Sequence, residues 1–325
     1  MKKVIFLLLL VLLGATTPAF ADTDMTSSSG QTAKPAPMVL ASVHPLALVA
    51  ASVIPAERLR VLVPPGMTPH DFALRPSDID LIQSADIILW AGPVTEPYLK
   101  GFATRWPDKM WINVAELGQQ SPIQDPHWWL SPDIMKQAQQ QLAQRVGRDP
   151  AVFANAVDLA VAAARQLLQP VQQRGFFVFH RAYDHWVAAM GLNQVGSFTL
   201  SPEQKPGIRT LQTMRSQLLS GEVVCVFSEP EFSPALVDRI VEGINVGRGE
   251  LDPMALQIDI TSDAYPALIA DMAQRAKACL EAVAVNAAGL TPDTDLDKAS
   301  LILQEQDDSI DLPLRSHTHE AGHSH

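Results

Sequence analysis

Short apolar segments alternate with longer amphipathic stretches along most of the chain. Seven segments have the length and composition of strands; they are Val39–Val43, Leu59–Val63, Ile87–Ala91, Met110–Val114, Phe176–Phe179, Gln194–Thr199 and Val223–Phe227. The stretches after Pro76 and Pro132 have the apolar spacing of amphipathic helices, and Ser77 is the expected N-cap of the first. Because helices between strands cross over a sheet, this alternation predicts parallel sheets covered on both faces.

A longer helix is predicted near the middle of the chain. Residues 150–173 are rich in alanine and leucine, and apolar residues recur at positions 152, 156, 159, 163, 167 and 171, which is a helical spacing. About 24 residues at roughly 1.5 Å each give about 36 Å, enough to run along two domains. The pattern therefore predicts an α/β protein with two parallel-sheet lobes, residues 38–146 and 175–285, linked by one long α-helix within residues 147–174.

Both ends of the chain differ from this alternating core. Two lysines and an apolar run precede a small-residue cleavage site that ends at Ala21, so residues 1–21 are predicted to be a secretory signal peptide. Residues 22–37 have the composition of a flexible leader, and residues 286–325 form an acidic tail that ends in four histidines and is predicted to be disordered. We therefore expect an exported protein with no stable membrane insertion after signal removal.

The two cysteines fit an exported protein. Cys225 lies in a predicted buried strand and Cys279 in a predicted helix. Disulfides form in oxidising compartments, and two cysteines allow only one pairing. We expect a Cys225–Cys279 disulfide, with two buried free thiols as the alternative.

Composition and charge narrow the class of partner. The chain is 47% hydrophobic and 18% charged, with a formal net charge of −11. It can therefore build a sizeable core, but it has no basic stripe that would neutralise phosphates, so nucleic acid is not an expected partner. An acidic soluble protein is suited to cations or small molecules.

Five histidines lie outside the tail: His44, His70, His127, His180 and His185. His44 and His180 directly follow predicted strands, whereas His70 and His127 lie in loops after strands. Because ligands collect beyond the carboxyl ends of parallel strands, we expect these histidines at one edge, in a cleft between the lobes. Three of them, His70, His127 and His180, lie beside prolines and aromatic residues, and three imidazoles with one open position can form a zinc site. Structural histidines that only form hydrogen bonds are the alternative.

Several segments together resemble a known family. The segments are LVPPGMTPHDFALRPSD, DPHWWLSP, GFFVFHRAYDHW, SFTLSPEQKPG, CVFSEPEF and GELDPMA. They closely resemble, in the same order, segments of the periplasmic zinc-binding proteins that supply ABC importers, the metal-specific group of solute-binding proteins. The resemblance runs from about Val39 to Cys279. It implies two lobes joined by a long helix, a periplasmic location and binding rather than catalysis.

The resemblance also implies a ligand set. It makes His70, His127 and His180 the expected metal ligands. Family members that take manganese generally have an acidic residue at the third position, so histidine at position 180 favours Zn²⁺, because carboxylates suit harder ions. Asp252 or a water molecule is the expected fourth ligand, and a helix cap or turn residue is the alternative interpretation of Asp252.

Four further residues near these motifs have weaker interpretations. Glu229 and Glu231 are expected to be polar loop residues at a strand end, or alternatively groups that support the ligands. We expect His44 at the mouth of the cleft and His185 capping its helix or packing on it.

The chain departs from the family in where its other histidines lie. Many zinc-binding members have a long His- and Asp-rich loop between the first and second ligand motifs, but residues 115–125 here contain no histidine. The histidine cluster is at the carboxyl terminus instead, at His317, His319, His323 and His325. It could collect zinc weakly and pass it inward, sense zinc abundance, or be an inert tail; an added purification tag is a further alternative.

These observations predict high-affinity capture of Zn²⁺ by a monomer and delivery of the ion to an inner-membrane ABC permease. A manganese- or iron-binding solute-binding protein is the nearest alternative. A secreted zinc hydrolase would need a general base beside a zinc-bound water, and the chain has neither an H-E-x-x-H nor a G-x-S-x-G motif. Relatives of this fold also include adhesins, a function that no particular residue of this chain supports.

Overall fold

The computed structural model describes residues 36–199 and 206–282. The predicted signal peptide, most of the predicted leader and the acidic tail with its four histidines lie outside these residues. The described residues comprise nearly all of the two predicted lobes and the helix between them.

The first half of the described chain builds a four-stranded sheet. Its elements, in chain order, are β1 (Val39–Ala41), α1 (His44–Ala50), β2 (Leu59–Val61), α2 (Pro76–Ser84), β3 (Ile87–Trp90), α3 (Pro97–Arg105), β4 (Met110–Asn113), α4 (Val114–Leu117) and α5 (Pro132–Arg145). The strand order is β2-β1-β3-β4, and every pairing is parallel. β3 is buried at all its positions, as expected for a parallel strand with helices on both faces.

The second half builds another parallel sheet. Its elements are α6 (Ala151–Leu168), β5 (Gly175–His180), α7 (Asp184–Met190), β6 (Asn193–Thr199), α8 (Ile208–Leu219), β7 (Val223–Ser228), α9 (Ala235–Ile240), β8 (Gly247–Glu250) and α10 (Ala264–Ala282). The strand order is β6-β5-β7-β8. Each of the seven predicted strands overlaps an observed strand, so the prediction of two parallel-sheet lobes is confirmed.

α6 carries the chain from the first sheet to the second, which confirms the predicted linking helix. It has 18 residues, about 27 Å at 1.5 Å per residue. A 3-10 turn, Gln169–Val171, follows and contains Pro170, so the α-helix is shorter than the predicted stretch. The buried side of α6 packs against α5 and α10. The stretch Ala151–Val171 is also the one segment, within the described residues, that is long and apolar enough to span a membrane.

Side chains along β5 point alternately to the two faces of the second sheet, and one of these faces is turned to the first lobe. Phe176 and Val178 belong to a core that both lobes share, whereas Phe177 belongs to a separate core on the other face of the second sheet. Successive side chains of a strand point to opposite faces, so His180, at the end of β5, is directed to the shared side. The same alternation in β7, continued beyond its end, directs Glu229 to that side.

Two local features differ from what the sequence pattern indicates. The polar segment Gly247–Glu250 has no strand-like pattern, yet it pairs with β7 as the edge strand β8. The N-cap of α2 is Arg75 rather than Ser77. The carboxylate of Asp78 accepts a hydrogen bond from the N–H of Arg75 at 2.8 Å, so the first turn is closed from inside the helix and Ser77 is not needed as a cap.

A disulfide joins β7 to α10, which confirms the predicted Cys225–Cys279 pairing. The close approach of α10 also explains why β8 contains glycine: a Cβ at Gly247 would lie 2.8 Å from the carbonyl oxygen of Cys279. The two cysteines are separated by 54 residues. A cross-link over such a loop stabilises the folded state by about 4 kcal/mol if it acts by restricting the unfolded chain.

Replacing both Cys225 and Cys279 with alanine is therefore expected to lower the free energy of unfolding by about 4 kcal/mol. Urea denaturation of the oxidised wild type and of the double variant measures this difference. Adding a reductant should destabilise the wild type and leave the double variant unchanged. A difference below about 1 kcal/mol would contradict the expected contribution of the cross-link.

The buried carboxyl group of Glu96 makes the stability of the folded protein depend on pH. Glu96 is fully buried between β3 and α3. Burial raises its pKa to about 7, although hydrogen bonds from the N–H of Ala91, at 2.7 Å, and the hydroxyl of Tyr98, at 3.3 Å, act in the opposite direction. Between about pH 4.5 and pH 7 the folded protein therefore holds a proton that the unfolded chain releases.

The stability that protonated Glu96 contributes is fully present below about pH 4.5 and is lost as the pH rises through 7. Glu96→Gln keeps an uncharged acceptor at this position. The unfolding free energy of the variant relative to wild type is expected to increase by up to about 3 kcal/mol between pH 4.5 and pH 8. Urea denaturation of both metal-free proteins at several pH values measures this change. The expectation fails if the difference between them is the same at every pH.

Candidate metal centre

Asp125 fixes the ring of His127, two residues after it. Its Oδ1 accepts a hydrogen bond from the backbone N–H of His127 at 3.0 Å and lies 2.6 Å from Nδ1 of the imidazole ring. Aspartate commonly closes such a turn onto the backbone two residues ahead. A proton held on Nδ1 leaves the lone pair on Nε2, which points away from Asp125, as in metal-binding histidines.

Glu229 fixes the ring of His180 in the same way from the second lobe. Its Oε1 lies 2.7 Å from Nδ1 of His180 and accepts from the backbone N–H of that residue at 3.3 Å. His180 ends β5, and Glu229 directly follows β7, the strand beside it. The strand order reverses between these two strands, and such a position is where ligands bind in open α/β sheets.

The Nε2 atoms of three histidines converge. His127 Nε2 lies 3.2 Å from His70 Nε2 and 3.2 Å from His180 Nε2. Ring nitrogens of the three residues all lie within 4.8 Å of one another. Two nitrogens bound to one tetrahedral zinc ion would be about 3.3–3.4 Å apart. The three imidazoles are therefore spaced to share a single ion, and the structure brings together the three histidines that the sequence singles out.

His70 differs from the other two histidines. It lies in the segment between β2 and α2 and is partly exposed, whereas His127 and His180 are each 3% exposed. Burial, followed by the charges of His127 and His180, lowers the pKa of His70 to about 4, and Asp125 opposes this only in part. His70 is therefore neutral near pH 7, so no proton has to leave its ring before a metal binds.

The space between the rings is small. Besides the three histidines, its walls include Pro69, Trp129, Glu229, Glu231 and Met254. The cavity offers about 10 Å³ to the centre of a water-sized sphere, which corresponds to about one water molecule. It therefore suits a single ion.

Asp125 also joins the His127 loop to the second lobe. Its Oδ2 accepts from the N–H of Asp184 at 3.0 Å, at the start of α7, and its carbonyl oxygen lies 2.8 Å from Nε2 of His185. Burial alone would raise the pKa of Asp125, but the hydrogen bonds and charge of His127, with the charge of His185, outweigh it and lower the pKa. Asp125 is therefore an ionised acceptor at neutral pH.

Trp129 makes a second connection between the lobes. Its indole N–H donates to the carbonyl oxygen of Pro253 at 2.8 Å, and its own carbonyl accepts from the hydroxyl of Tyr265 at 2.9 Å. The indole and the ring of His127 are nearly perpendicular, with the ring centroids 5.2 Å apart. The loop that carries His127 is thus held by α7, by the segment after β8 and by α10.

The structure does not bring Asp252 into the histidine cluster. Its Oδ1 accepts from the N–H of Met254 at 2.9 Å, and its Oδ2 accepts from the N–H of Leu256 at 2.6 Å. These bonds close a tight turn in which Ala255 has a positive φ of 57°, an uncommon conformation for alanine. Asp252 thus makes the contacts of a turn residue, the alternative that its place before Pro253 suggests.

The other candidate residues in the sequence make contacts outside the cluster or on the wall of its cavity. His44 begins α1, and its Nε2 lies 2.9 Å from the carbonyl oxygen of Ile258. His185 contacts the His127 loop rather than capping its own helix. Glu231 lies on the cavity wall. Sequence reasoning did not single out Asp125, although an acidic residue two positions before a candidate ligand is a signal for a partner of its Nδ1.

Comparison with known sequences identifies a family. The zinc-uptake complex component A family, described as periplasmic, matches residues 39–279. A high-affinity zinc uptake system protein, ZnuA of Yersinia pestis, is 31% identical over 293 residues, which cover 75% of this chain and 91% of that protein. The residues matched by the family, 39–279, include all three clustered histidines.

Solved structures share the fold. A ZnuA deletion mutant with zinc bound has a TM-score of 0.61 and 24% identity, with 73% of this chain and 96% of that chain covered. The periplasmic zinc-binding protein TroA from Treponema pallidum has a TM-score of 0.65 and 17% identity, with 75% and 99% covered. These likenesses agree with two parallel-sheet lobes joined by a helix.

The hydrogen bond from His127 to Asp125 yields a test of ring positioning. Asp125→Asn keeps the size of the side chain and removes its charge. We expect it to weaken zinc binding by about 10- to 100-fold, because partners of ligating histidines have effects of this size. Competition with a chromophoric chelator measures the affinity.

Asp133→Asn is the matched control, because Asp133 is largely exposed in the first turn of α5. It should bind zinc like the wild type. Equal zinc affinity in Asp125→Asn and in wild type would show that this hydrogen bond does not prepare the site.

Proposed function

The chain belongs to the family of periplasmic zinc-uptake components, and from this premise we propose that it captures Zn²⁺ in the periplasm and delivers it to an inner-membrane ABC permease. One observation carries the proposal: three imidazole Nε2 atoms converge, and two of the rings are oriented by carboxylates at Nδ1. In this proposal His70, His127 and His180 are the ligands, and Zn²⁺ is the transported ion.

The choice of zinc over manganese or iron follows from the donor atoms. Imidazole nitrogen suits zinc, whereas manganese prefers carboxylates, carbonyls and water. Zinc also accepts four ligands in a tetrahedron, so three histidines supply most of its coordination. A manganese- or iron-binding solute-binding protein would be expected to present more oxygen ligands at the same position.

Two observations support binding rather than catalysis: the family to which the chain belongs, and the small volume of the cavity between the imidazole rings. The family consists of solute-binding proteins of transporters. A zinc hydrolase needs a substrate beside the metal-bound water, and the cavity has room for about one water molecule. We therefore assign no catalytic residue.

The bonds between the lobes bear on capture and release. The proposed ligands come from both lobes, and Asp125 and Trp129 join the His127 loop to the second lobe. Such packing disfavours a large hinge opening about α6. Release then requires smaller movements, for which the partly exposed His70 segment is the best candidate, induced when the protein docks on the permease as a monomer.

Zinc titration tests the proposal. The mature protein should bind one equivalent of Zn²⁺ tightly, and His127→Ala should weaken this binding by more than about 100-fold, because even partners of ligands account for 10- to 100-fold. Removal of residues 317–325, with the four terminal histidines, should leave the tight equivalent in place and abolish only weaker binding. Isothermal calorimetry with a competing chelator measures both.

His44→Ala is the matched control, because His44 contacts a backbone carbonyl outside the cluster. It should retain the tight equivalent. The proposal fails if the protein without residues 317–325 binds no zinc tightly, or if His127→Ala binds as well as the wild type.

A further inference from the structure

The cluster supplies three donor atoms to an ion that takes four. The identity of the fourth donor decides whether the bound ion keeps an exchangeable water. The fourth donor also determines how much negative charge is coordinated directly to the ion. The inference below rests on the proposed function, because it concerns the same ion.

Asp252 is poorly placed to be this donor. Both of its oxygens accept backbone N–H groups of the turn that follows, at 2.9 and 2.6 Å. Turning either oxygen to the ion would take the acceptor away from one of these backbone N–H groups, which is unfavourable. It would also release the turn that holds Ala255 at positive φ. The hydrogen bonds therefore favour a structural use of this carboxylate.

Glu229 is also engaged, on the far side of a ligand ring. Its Oε1 lies against Nδ1 and the backbone N–H of His180, whereas its buried Oε2 has no hydrogen-bond partner among the described residues. Nδ1 and Nε2 lie at different edges of an imidazole ring, so a carboxylate that holds Nδ1 lies behind the ring as seen from the ion. Glu229 therefore orients a ligand, as Asp125 does for His127.

Glu231 is the carboxylate without such an engagement. It lies on the wall of the histidine cavity, although its oxygens, like those of Asp252, are not in the group of ligand atoms that lie within 4.8 Å of one another. Both of its oxygens are buried, and neither accepts a hydrogen bond from another described residue. Buried carboxyl groups are normally paired, and one left unpaired at a cavity wall indicates a missing counterion or hydrogen-bond partner.

The surroundings of Glu231 agree with a cation beside it. The nearby acidic groups are Asp252 and Glu229, and His180 is the imidazole close enough to act on it electrostatically. Burial, followed by the charge of Asp252, raises the pKa of Glu231 to about 7, although its own backbone N–H and His180 act in the opposite direction. A divalent ion held by the three histidines would offset this concentration of negative charge.

We propose that Glu231 supplies the fourth ligand oxygen to the zinc ion. The ion is then held by three imidazole nitrogens and one carboxylate oxygen, and no coordinated water remains to exchange. Three histidines set the preference for zinc, and Glu231 closes the coordination sphere from the loop after β7.

Co²⁺ substitution tests the fourth position directly, because the visible spectrum of Co²⁺ reports its ligands. The full mature chain is loaded with one equivalent of Co²⁺ and titrated with azide, which replaces an exchangeable water but not a protein carboxylate. The wild-type spectrum should not respond to azide. Glu231→Ala should respond, and its zinc affinity should fall by about 10- to 100-fold.

Two further variants separate ligation from structure. Glu231→Gln keeps the shape of the side chain and should lose at least about tenfold in zinc affinity, which decides the matter if Glu231→Ala does not fold. Asp252→Asn keeps one acceptor for the turn, and its spectrum should remain insensitive to azide.

Several results would overturn the assignment while leaving the proposed function intact. These are an azide-sensitive wild type, Glu231 variants with wild-type zinc affinity, or azide sensitivity in Asp252→Asn alone, which would make Asp252 the ligand. In each case the tight equivalent still depends on His127. Absence of a tight equivalent in the wild type would instead overturn the proposed function.

Discussion

The convergence of the imidazoles in the cavity depends on two carboxylate–imidazole hydrogen bonds, one in each lobe. A neutral imidazole carries one proton and one lone pair, and a free ring can present either nitrogen to the cavity. Asp125 and Glu229 remove that freedom for His127 and His180, with separations of 2.6 and 2.7 Å. Each also accepts the backbone N–H of the same histidine, which fixes the ring relative to the chain. The orientation is therefore built into the fold before an ion arrives.

The parallel sheets explain how groups so distant in sequence meet. His180 ends β5 on the face that belongs to the shared core, and the His127 loop reaches it from the first lobe across hydrogen bonds to α7 and to the segment after β8. An ion bound by histidines of both lobes joins them further. By linkage, zinc binding must then stabilise the arrangement in which the lobes are packed together. The small cavity and the burial of His127 and His180 follow from the same packing.

Much of the fold could be predicted from local pattern, because buried strands and amphipathic helices depend on residues near one another in sequence. The common edge of the histidines could be predicted for a related reason, because they follow strands, where parallel sheets bind ligands. The choice of three of them came from their proline and aromatic neighbours and from the resemblance to a known family. The partners of their rings depend on tertiary geometry. Glu229 lies 49 residues from His180, and no spacing rule connects them. Asp252 precedes a proline, a context equally compatible with a ligand and a turn, and only the two backbone N–H groups distinguish these. β8 has no apolar pattern because it contains glycines, and glycine is needed where α10 packs too close to the strand for a Cβ.

The central claim is that three imidazoles hold one zinc ion. X-ray absorption at the zinc edge of the protein loaded with one equivalent tests it most directly, because the spectrum reports the number and type of donor atoms. The account predicts nitrogen or oxygen neighbours at about 2.0–2.1 Å, with the outer-shell scattering of three imidazole rings. A spectrum with at most one imidazole, or one dominated by oxygen neighbours, would contradict it.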